Sequence, residues 1–203
     1  MAAERDAVPA PARLLRDFVN SAEPQTGSET FDSPAALSDW CREHGLLPAG
    51  AVLTRADLTA AVTVREGLRA VLHAHAGHRT PADGLSAFDA ALERVPLRAF
   101  FDDAGTLRLR AGDDRPLAGV VAGMLDAVRA AGTDGSWDRL KVCARDSCRW
   151  SFYDTSRNRS GRWCSMAGCG NQVKMRRAHA RRRAGAGAGL VAAADHAGRR
   201  DAR

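Results

Sequence analysis

The feature that most constrains this chain is a set of four cysteines in its C-terminal part. Cys143 and Cys148 form one pair, Cys164 and Cys169 form another, and four residues separate the members of each pair. Fifteen residues lie between the pairs, which leaves room for a hairpin. Paired cysteines of this kind are typical of zinc ligands, and four thiolates suit the tetrahedral coordination of a structural site. The spacing therefore predicts one structural Zn²⁺ bound by all four cysteines.

Disulfide bonds and metal-free thiols both fit the cysteine pairs less well than zinc does. A secreted disulfide protein more often spreads an even number of cysteines through its length, whereas this chain has five. Reduced cysteines without metal would not explain two matched pairs in basic surroundings, which favour the metal-binding thiolate. Four thiolates leave no open coordination position, so we expect no catalytic metal. The fifth cysteine, Cys41, lies on an apolar helical face and is expected to be buried.

The net charge of +6 is unevenly distributed over the 203 residues. Residues 1–137 contain 14 lysines and arginines against 19 acidic residues, whereas residues 138–183 contain 13 against three. The first part is thus acidic and the second strongly basic. An asymmetry of this size predicts two parts with different partners, and the basic part suits a polyanion.

Residues 171–183, called the basic segment below, contain no acidic residue. An isolated helix there would repel itself, and a phosphate backbone would relieve the repulsion. The alternatives are a solvated basic face and a helix that contacts an acidic protein. Residues at the start of a groove-inserted helix usually meet base edges, although Asn171 could equally brace the zinc knuckle. The candidate nucleic-acid-binding residues are Asn171, Gln172, Lys174, Arg176, Arg177, Arg181, Arg182 and Arg183.

Residues 13–135 are predicted to form a mostly helical domain with one β-hairpin. Caps, first-turn prolines and apolar residues at helical spacing mark the helices. Residues 97–101 and 106–110 flank an Asp-Asp-Ala-Gly turn, which predicts the hairpin. The predicted helices begin near Arg13, Pro34, Thr54, Thr80 and Pro116.

Residues 138–183 are predicted to form a separate small domain around the zinc. A strand after Cys148, a turn and a return toward Cys164 would form its hairpin. Trp150, Phe152 and Trp163 would then supply a miniature core, and metal binding most of the folding energy. The order of knuckle, hairpin, second cysteine pair and helix is similar to a treble-clef finger. The predicted fold class is therefore α+β.

Several classes of protein are disfavoured by the sequence. No apolar run approaches the roughly 20 residues of a membrane span, and the N-terminus lacks the order of a secretory signal. We therefore expect a cytoplasmic protein without a membrane partner. Phosphate-binding loops, nucleophile elbows and metalloprotease motifs are not found, so we expect no enzyme. The Ala/Pro-rich residues 1–12 and the Ala/Gly-rich residues 184–203 are predicted to be disordered.

Several motifs make the chain similar to a known family. They are Cys143-x4-Cys148, Trp150–Asp154, Ser156–Arg159, Arg162–Met166 and Cys169–Asn171 in the C-terminal part, and Leu14–Asn20, Pro34–Trp40 and Arg65–Arg69 before it. With these motifs the C-terminal part resembles the CGNR zinc finger, and the N-terminal part resembles ABATE, the α/β domain that precedes this finger in the family. Family members are regarded as stress-induced transcription regulators, so the resemblance implies DNA binding.

The chain departs from the family pattern at one position. The family name ends in arginine, whereas this chain has Gln172 there, which can form hydrogen bonds but carries no charge. Three functions stay open at this point. The chain could be a DNA-binding regulator whose N-terminal domain senses a small-molecule effector or forms a homodimer. It could instead be an RNA-binding module, or an adaptor whose finger docks acidic protein surfaces.

Overall fold

The computed structural model of the chain describes residues 8–78, 82–176 and 178–182, with the backbone alone at residues 82–84. Within these ranges, α-helices are combined with small antiparallel strand pairs, which confirms the predicted α+β class. Contacts group the chain into two compact units, one that ends at Cys164 and one that begins at Ser165. None of the helices in these ranges has both the length and the apolar character that a membrane span requires.

The first unit contains five α-helices and three strand pairs among its described residues, and the paired strands are β1–β2, β3–β4 and β5–β6. In chain order the elements are α1 (Ala10–Val19), β1 (Ala22–Glu23), β2 (Ser28–Glu29), α2 (Pro34–Glu43), α3 (Arg55–His75), α4 (Ala82–Leu92), β3 (Leu97–Phe101), β4 (Leu107–Ala111), α5 (Pro116–Asp134), β5 (Leu140–Val142) and β6 (Ser151–Tyr153).

Helix α1 begins earlier than the sequence suggests. The sequence predicts disorder over residues 1–12, but Val8 and Ala12 are buried and α1 starts at Ala10. Pro9 and Pro11 explain this start, because the first N–H groups of a helix need no intrahelical acceptor and proline is tolerated there. The predicted disorder is therefore wrong for residues 8–12, while residues 1–7 lie outside the described residues.

Two helices begin at the caps that the sequence marks. The Ser33 hydroxyl accepts a hydrogen bond from the Ala36 N–H at the start of α2. Thr54 and Asp57 form a capping box at the start of α3, each side chain accepting from the other residue's backbone N–H. These helix starts are confirmed. The predicted start at Thr80 lies outside the described residues.

One apolar core joins helices α1, α2, α3 and α5. Cys41 is fully buried in it, and burial raises the pKa of its thiol to about 12, as expected for a small hydrophobic residue. Gly67 lets α4 approach α3 closely, because a Cβ at this position would overlap the Phe88 ring. The largest fully buried apolar side chains include Leu15, Phe18, Val19, Leu37, Leu53, Leu72, Val120, Met124, Leu140 and Val142.

The hairpin of the first cysteine pair differs from the prediction. Strand β6 pairs with β5, which precedes Cys143, rather than with the segment that returns toward Cys164. Leu140 and Val142 of β5 are fully buried in the same core as the helices. The core of the first unit therefore extends past residue 135. The sequence predicts that residues 13–135 and 138–183 fold as independent domains, and this stays a prediction.

Two side chains from the helical part hold the β5–β6 hairpin at its ends. Asn20, which follows α1, accepts a hydrogen bond from the Ser151 N–H (2.8 Å) and donates one to the Ser151 carbonyl (2.9 Å). The His75 Nδ1 atom lies 2.9 Å from the Leu140 carbonyl oxygen. Asn20 thus completes the hydrogen bonds of an edge strand, which would otherwise need another strand as partner.

Arg69 joins three backbone segments from the middle of α3. Its side chain is fully buried, and its Nη2 atom donates to the carbonyls of Val19 (2.6 Å) and Ala22 (3.2 Å). Its Nη1 atom donates to the Arg149 carbonyl (3.0 Å), and its Nε atom pairs with Glu66 (3.0 Å). The end of α1, the start of β1 and the turn that carries Cys148 therefore share one guanidinium.

Replacing Arg69 tests this junction. In Arg69→Leu the carbonyls of Val19, Ala22 and Arg149 lose their donor, and leaving buried acceptors unsatisfied should cost about 1–3 kcal/mol in the free energy of unfolding. Glu66 is partly exposed and keeps Arg65 as a partner, so its charge adds little to this loss. Urea unfolding of the zinc-loaded protein measures the change. Arg55→Leu, an exposed position at the start of α3, is the control and should change the stability by less than about 0.5 kcal/mol. Equal stability of Arg69→Leu and the wild type would contradict the assignment.

Candidate metal centre and basic segment

The four predicted zinc ligands lie together. The sulfur atoms of Cys143, Cys148, Cys164 and Cys169 are all within 4.8 Å of one another. Four thiolates around one zinc at about 2.3 Å place neighbouring sulfur atoms about 3.8 Å apart, and the Sγ atoms of Cys148 and Cys164 are 3.7 Å apart. The distances and the choice of four sulfur donors therefore fit one structural Zn²⁺, which confirms the prediction.

Backbone hydrogen bonds shape the turn that carries the first pair. The Cys143 N–H donates to the Trp150 carbonyl (2.9 Å), and the Cys148 N–H donates to the Arg145 carbonyl (2.8 Å). Arg149 closes the turn with a φ of 51°, in the left-handed region that costs a non-glycine residue roughly 1–2 kcal/mol. The Arg69 guanidinium binds the carbonyl of this same residue, which stabilises the strained turn.

The second pair spans the start of a helical segment. Ser165 caps a single π-helical turn, Met166–Gly170, and its hydroxyl accepts from the Gly168 N–H (3.2 Å). The Gly170 N–H donates a hydrogen bond to the Ser165 carbonyl (3.0 Å). Cys169 is buried within this turn and Cys164 is half-buried. The chain then continues as helix over residues 171–176 and 178–182.

A buried ion pair lies beside the first cysteine pair in the chain. The Nζ atom of Lys141 lies 2.7 Å from Oδ2 of Asp154, and both side chains are almost fully buried. Lys141 also donates to the carbonyls of Arg159 and Gly161. Burial alone would raise the pKa of the Asp154 carboxyl, but hydrogen bonds from Lys141, Ser156 and Gly161 lower it to about 2. Asp154 therefore stays ionised across the neutral range.

Asp154 also fixes the loop that returns the chain toward Cys164. Its carboxylate accepts from the backbone N–H groups of Ser156 (3.0 Å) and Gly161 (2.8 Å). A Cβ at position 161 would lie 2.7 Å from Oδ1 of Asp154, so this position requires glycine. The loop, residues 154–161, is thus closed around one carboxylate. Sequence reasoning placed Asp154 in a family motif but gave it no role, and it missed Lys141.

The predicted miniature core of the finger stays a prediction, and the most deeply buried apolar side chains of this region lie elsewhere. Trp150, Phe152 and Trp163 are only half-buried. The fully buried apolar side chains of this region are instead Leu140 and Val142. The physical reason is that the β5–β6 hairpin packs against the helices, so its apolar burial takes place in the larger core.

The basic segment displays its cations to solvent. All four of its described cations, Lys174, Arg176, Arg181 and Arg182, are exposed. None of the ion pairs found within residues 8–78, 82–176 and 178–182 includes them. Their charges are therefore available to an external anion. Two further candidates, Arg177 and Arg183, lie outside the described residues, as do residues 184–203 with their predicted disorder.

Asn171 and Gln172 begin the segment directly after the π-helical turn. Asn171 is exposed, and its side-chain amide donates to the Ala167 carbonyl (3.3 Å). This contact belongs to the bracing alternative for Asn171, because it ties the residue to the turn that contains Cys169. Gln172 is exposed as well. Base contacts by either residue stay a prediction.

Taken with the fold, the cysteine cluster defines a zinc-finger protein in which an α+β unit precedes a basic helical segment. Two family models match the chain. The CGNR zinc finger matches residues 139–182, and ABATE, described as "Putative stress-induced transcription regulator", matches residues 12–146. The chain therefore belongs to the ABATE family and carries a CGNR zinc finger, as the sequence motifs suggest. Comparison with curated proteins gives no match.

Metal analysis tests the site directly. Purified protein should contain one zinc per chain, and Cys148→Ser should lower that ratio because a neutral hydroxyl is a poor substitute for a thiolate. Cys41→Ala is the matched control, since Cys41 lies outside the cluster, and it should leave the ratio unchanged. Well under one zinc per wild-type chain, or a Cys143–Cys148 disulfide in the native protein, would disprove the site.

A second test concerns the buried ion pair. Asp154→Asn leaves the Lys141 ammonium buried without a counter-charge, and we expect a loss of about 3–5 kcal/mol in the free energy of unfolding. The double variant Asp154→Asn/Lys141→Met should lose less than the sum of the single changes. Asp138→Asn removes an exposed ion pair with Arg159 and should have little effect. Additive losses for the two buried changes would argue against the pair.

Proposed function

We propose that this chain is a transcription regulator that binds DNA through the basic segment. The observation that carries the proposal is the set of exposed cations at positions 174, 176, 181 and 182, which have no acidic neighbour in the segment. When such a cluster binds a phosphate backbone, it releases the counterions held there, and this release makes the free energy of binding more favourable. The description of the matched family as a stress-induced transcription regulator supports this choice among polyanions.

The zinc site gives this segment a rigid start. Cys169 lies two residues before Asn171, within a π-helical turn that Ser165 caps. A metal ligand at the base of a helix fixes where the helix begins, as in small domains whose folding depends on zinc. We propose a treble-clef-like role for this arrangement, in which the zinc orients the helix and the helix contacts the nucleic acid.

A binding role follows from the coordination chemistry. Four thiolates fill the tetrahedral sphere of zinc and leave no position for a reactive water or a substrate oxygen. We therefore propose that the zinc is structural and that the chain is not an enzyme. In this proposal the protein acts in the cytoplasm in response to stress, and its first unit senses an effector or forms a homodimer.

Phosphate contacts should dominate the affinity of the segment. The planar guanidinium group of arginine can bind two phosphate oxygens at once. The basic segment also carries more positive charges than a few contacts to bases would need. Sequence preference would then come from Asn171 and Gln172 at the start of the helix. The bond from Asn171 to the Ala167 carbonyl uses its amide nitrogen, which leaves the side-chain oxygen to accept from a base.

RNA and an acidic protein surface are the rival partners, because the same cations would suit either. Structured RNA is recognised mainly by shape and backbone, and an acidic protein surface offers fewer charges at wider spacing than a nucleic acid. Competition between duplex DNA and transfer RNA for the zinc-loaded protein separates the first two. A slope of binding against salt near zero would favour the protein partner.

The test is a salt titration of binding to one preferred and one scrambled DNA duplex. If about five phosphates are neutralised, the logarithm of the binding constant should fall against the logarithm of salt with a slope of roughly −4 to −5. Arg176→Ala should weaken binding on both duplexes and make the slope shallower by about 1. Met175→Ala, an exposed neighbour without charge, is the control and should leave the slope unchanged.

The titration also separates the two roles of Asn171. Asn171→Ala should change the preference between the duplexes and leave the slope unchanged if Asn171 contacts bases. If the variant instead loses zinc, Asn171 braces the metal site. Binding weaker than micromolar on both duplexes at low salt would exclude DNA as the partner.

A further inference from the structure

The β3–β4 hairpin exposes an apolar face. Directly paired residues of an antiparallel ladder place their side chains on the same side. The pairs Leu97–Ala111, Ala99–Leu109 and Phe101–Leu107 therefore share one face. Within the described residues six large apolar side chains are strongly exposed, and three of them lie here, namely Leu97 (42%), Phe101 (72%) and Leu107 (41%). Such a concentration at one place is typical of a contact surface.

Strand β3 also has an unpaired backbone edge. The bonds that flank the hairpin, from Gly112 N–H to the Pro96 carbonyl and from Asp102 N–H to the Thr106 carbonyl, fix which residues face the partner strand. In an antiparallel ladder these residues alternate, so residues 98 and 100 bond to β4. The N–H and C=O groups of residues 97, 99 and 101 therefore point away from β4.

No protein acceptor or donor for these outward groups is found in the part of the chain that the structure describes. The other edge of the hairpin differs, because the Leu109 N–H donates to the Asp126 carboxylate (2.9 Å). Arg108 pairs with the same carboxylate (2.7 Å), which covers the β4 edge with charge. An exposed edge is usually blocked or paired in native proteins, and within the described residues β3 is the edge of this hairpin that has neither.

We propose that β3 pairs with β3 of a second copy of this chain, in antiparallel orientation, with the two-fold axis at Ala99. In this register Ala99 faces Ala99 of the second copy, and Leu97 faces Phe101. All three residues with outward backbone groups then form hydrogen-bonded pairs across the axis. The two hairpins become one four-stranded sheet with a continuous apolar face. The inference does not depend on nucleic-acid binding.

The charges of β3 favour this register. Arg98 is exposed, and an axis at Arg98 would place two arginines directly opposite each other, which destabilises a strand pair. With the axis at Ala99, Arg98 stands opposite Phe100 of the second copy instead. Arginine packs well on an aromatic ring, and Arg110 of the same chain already lies over the Phe100 ring at 5.0 Å. In this register the backbone groups of β3 pair with those of the second copy, and Arg98 is not placed directly opposite Arg98 of the second copy.

A residue on a two-fold axis lies opposite the same residue of the second copy, which gives the proposal a specific test at Ala99. Ala99→Lys and Ala99→Glu each place two like charges opposite one another, and each should raise the dissociation constant of the dimer by roughly tenfold or more. A mixture of the two variants places Lys opposite Glu and should restore the dimer. Sedimentation velocity of the zinc-loaded full-length protein without DNA measures the oligomeric state.

Ala104→Lys is the matched control, because Ala104 is exposed in the turn of the same hairpin and off the β3 edge. It should leave the dimer intact. Circular dichroism checks that each variant is folded, and Phe101→Ser, which removes an apolar contact at an exposed position, gives a second route if Ala99 variants unfold. It too should weaken the dimer.

Three results would overturn the proposal. The wild type could be monomeric at high micromolar concentration, the dimer could survive both charged variants, or the mixture could fail to restore it. If the wild type is monomeric and Ala99→Glu weakens DNA binding while Ala99→Lys does not, the hairpin contacts nucleic acid instead. Failure here is distinct from failure of the proposed function, which is measured by the salt dependence of DNA binding and by variants of the basic segment.

Discussion

The guanidinium of Arg69 is the contact on which the rest of the first unit depends. A buried cation is tolerated only when its charge is paired and its donors are used. Glu66 supplies the charge, and the carbonyls of Val19, Ala22 and Arg149 supply acceptors from three separate segments. Burial lowers the pKa of Arg69, and Glu66 opposes that effect. One side chain thus sets the distance between α1, β1 and the turn of the first cysteine pair.

The β5–β6 hairpin joins the first cysteine pair to the core of the helices. The metal fixes the turn between β5 and β6, and β5 contributes Leu140 and Val142 to the core of the helices. Asn20 holds the outer edge of β6 through both backbone groups of Ser151. These contacts connect the hairpin to α1 and α3, while the independent folding of the helical part stays a prediction. The residues of the finger up to Cys164 therefore belong to the first unit.

Local signals in the sequence predict the helices and the zinc ligands well. Ser33 and Thr54 mark helix starts because capping depends on residues a few positions apart, and the cysteine spacing depends only on chelation. The β5–β6 pairing is harder, because β5 has only three residues, which is too short for an alternating pattern to identify it as the partner of the predicted strand after Cys148. Arg69 and Lys141 are harder still, since charged residues are almost always expected at the surface. Only their distant acceptors explain their burial.

The burial of Lys141 has a practical consequence for labelling. The chain contains only two lysines, Lys141 and Lys174, and just 4% of Lys141 is accessible whereas Lys174 is exposed. An amine-reactive fluorophore would therefore attach to Lys174 and the terminal amine of the native protein and leave Lys141 unmodified. A probe can thus be placed within the basic segment without any engineered cysteine. Acylation of Lys141, followed by peptide mass, would report how often the loop at residues 154–161 opens.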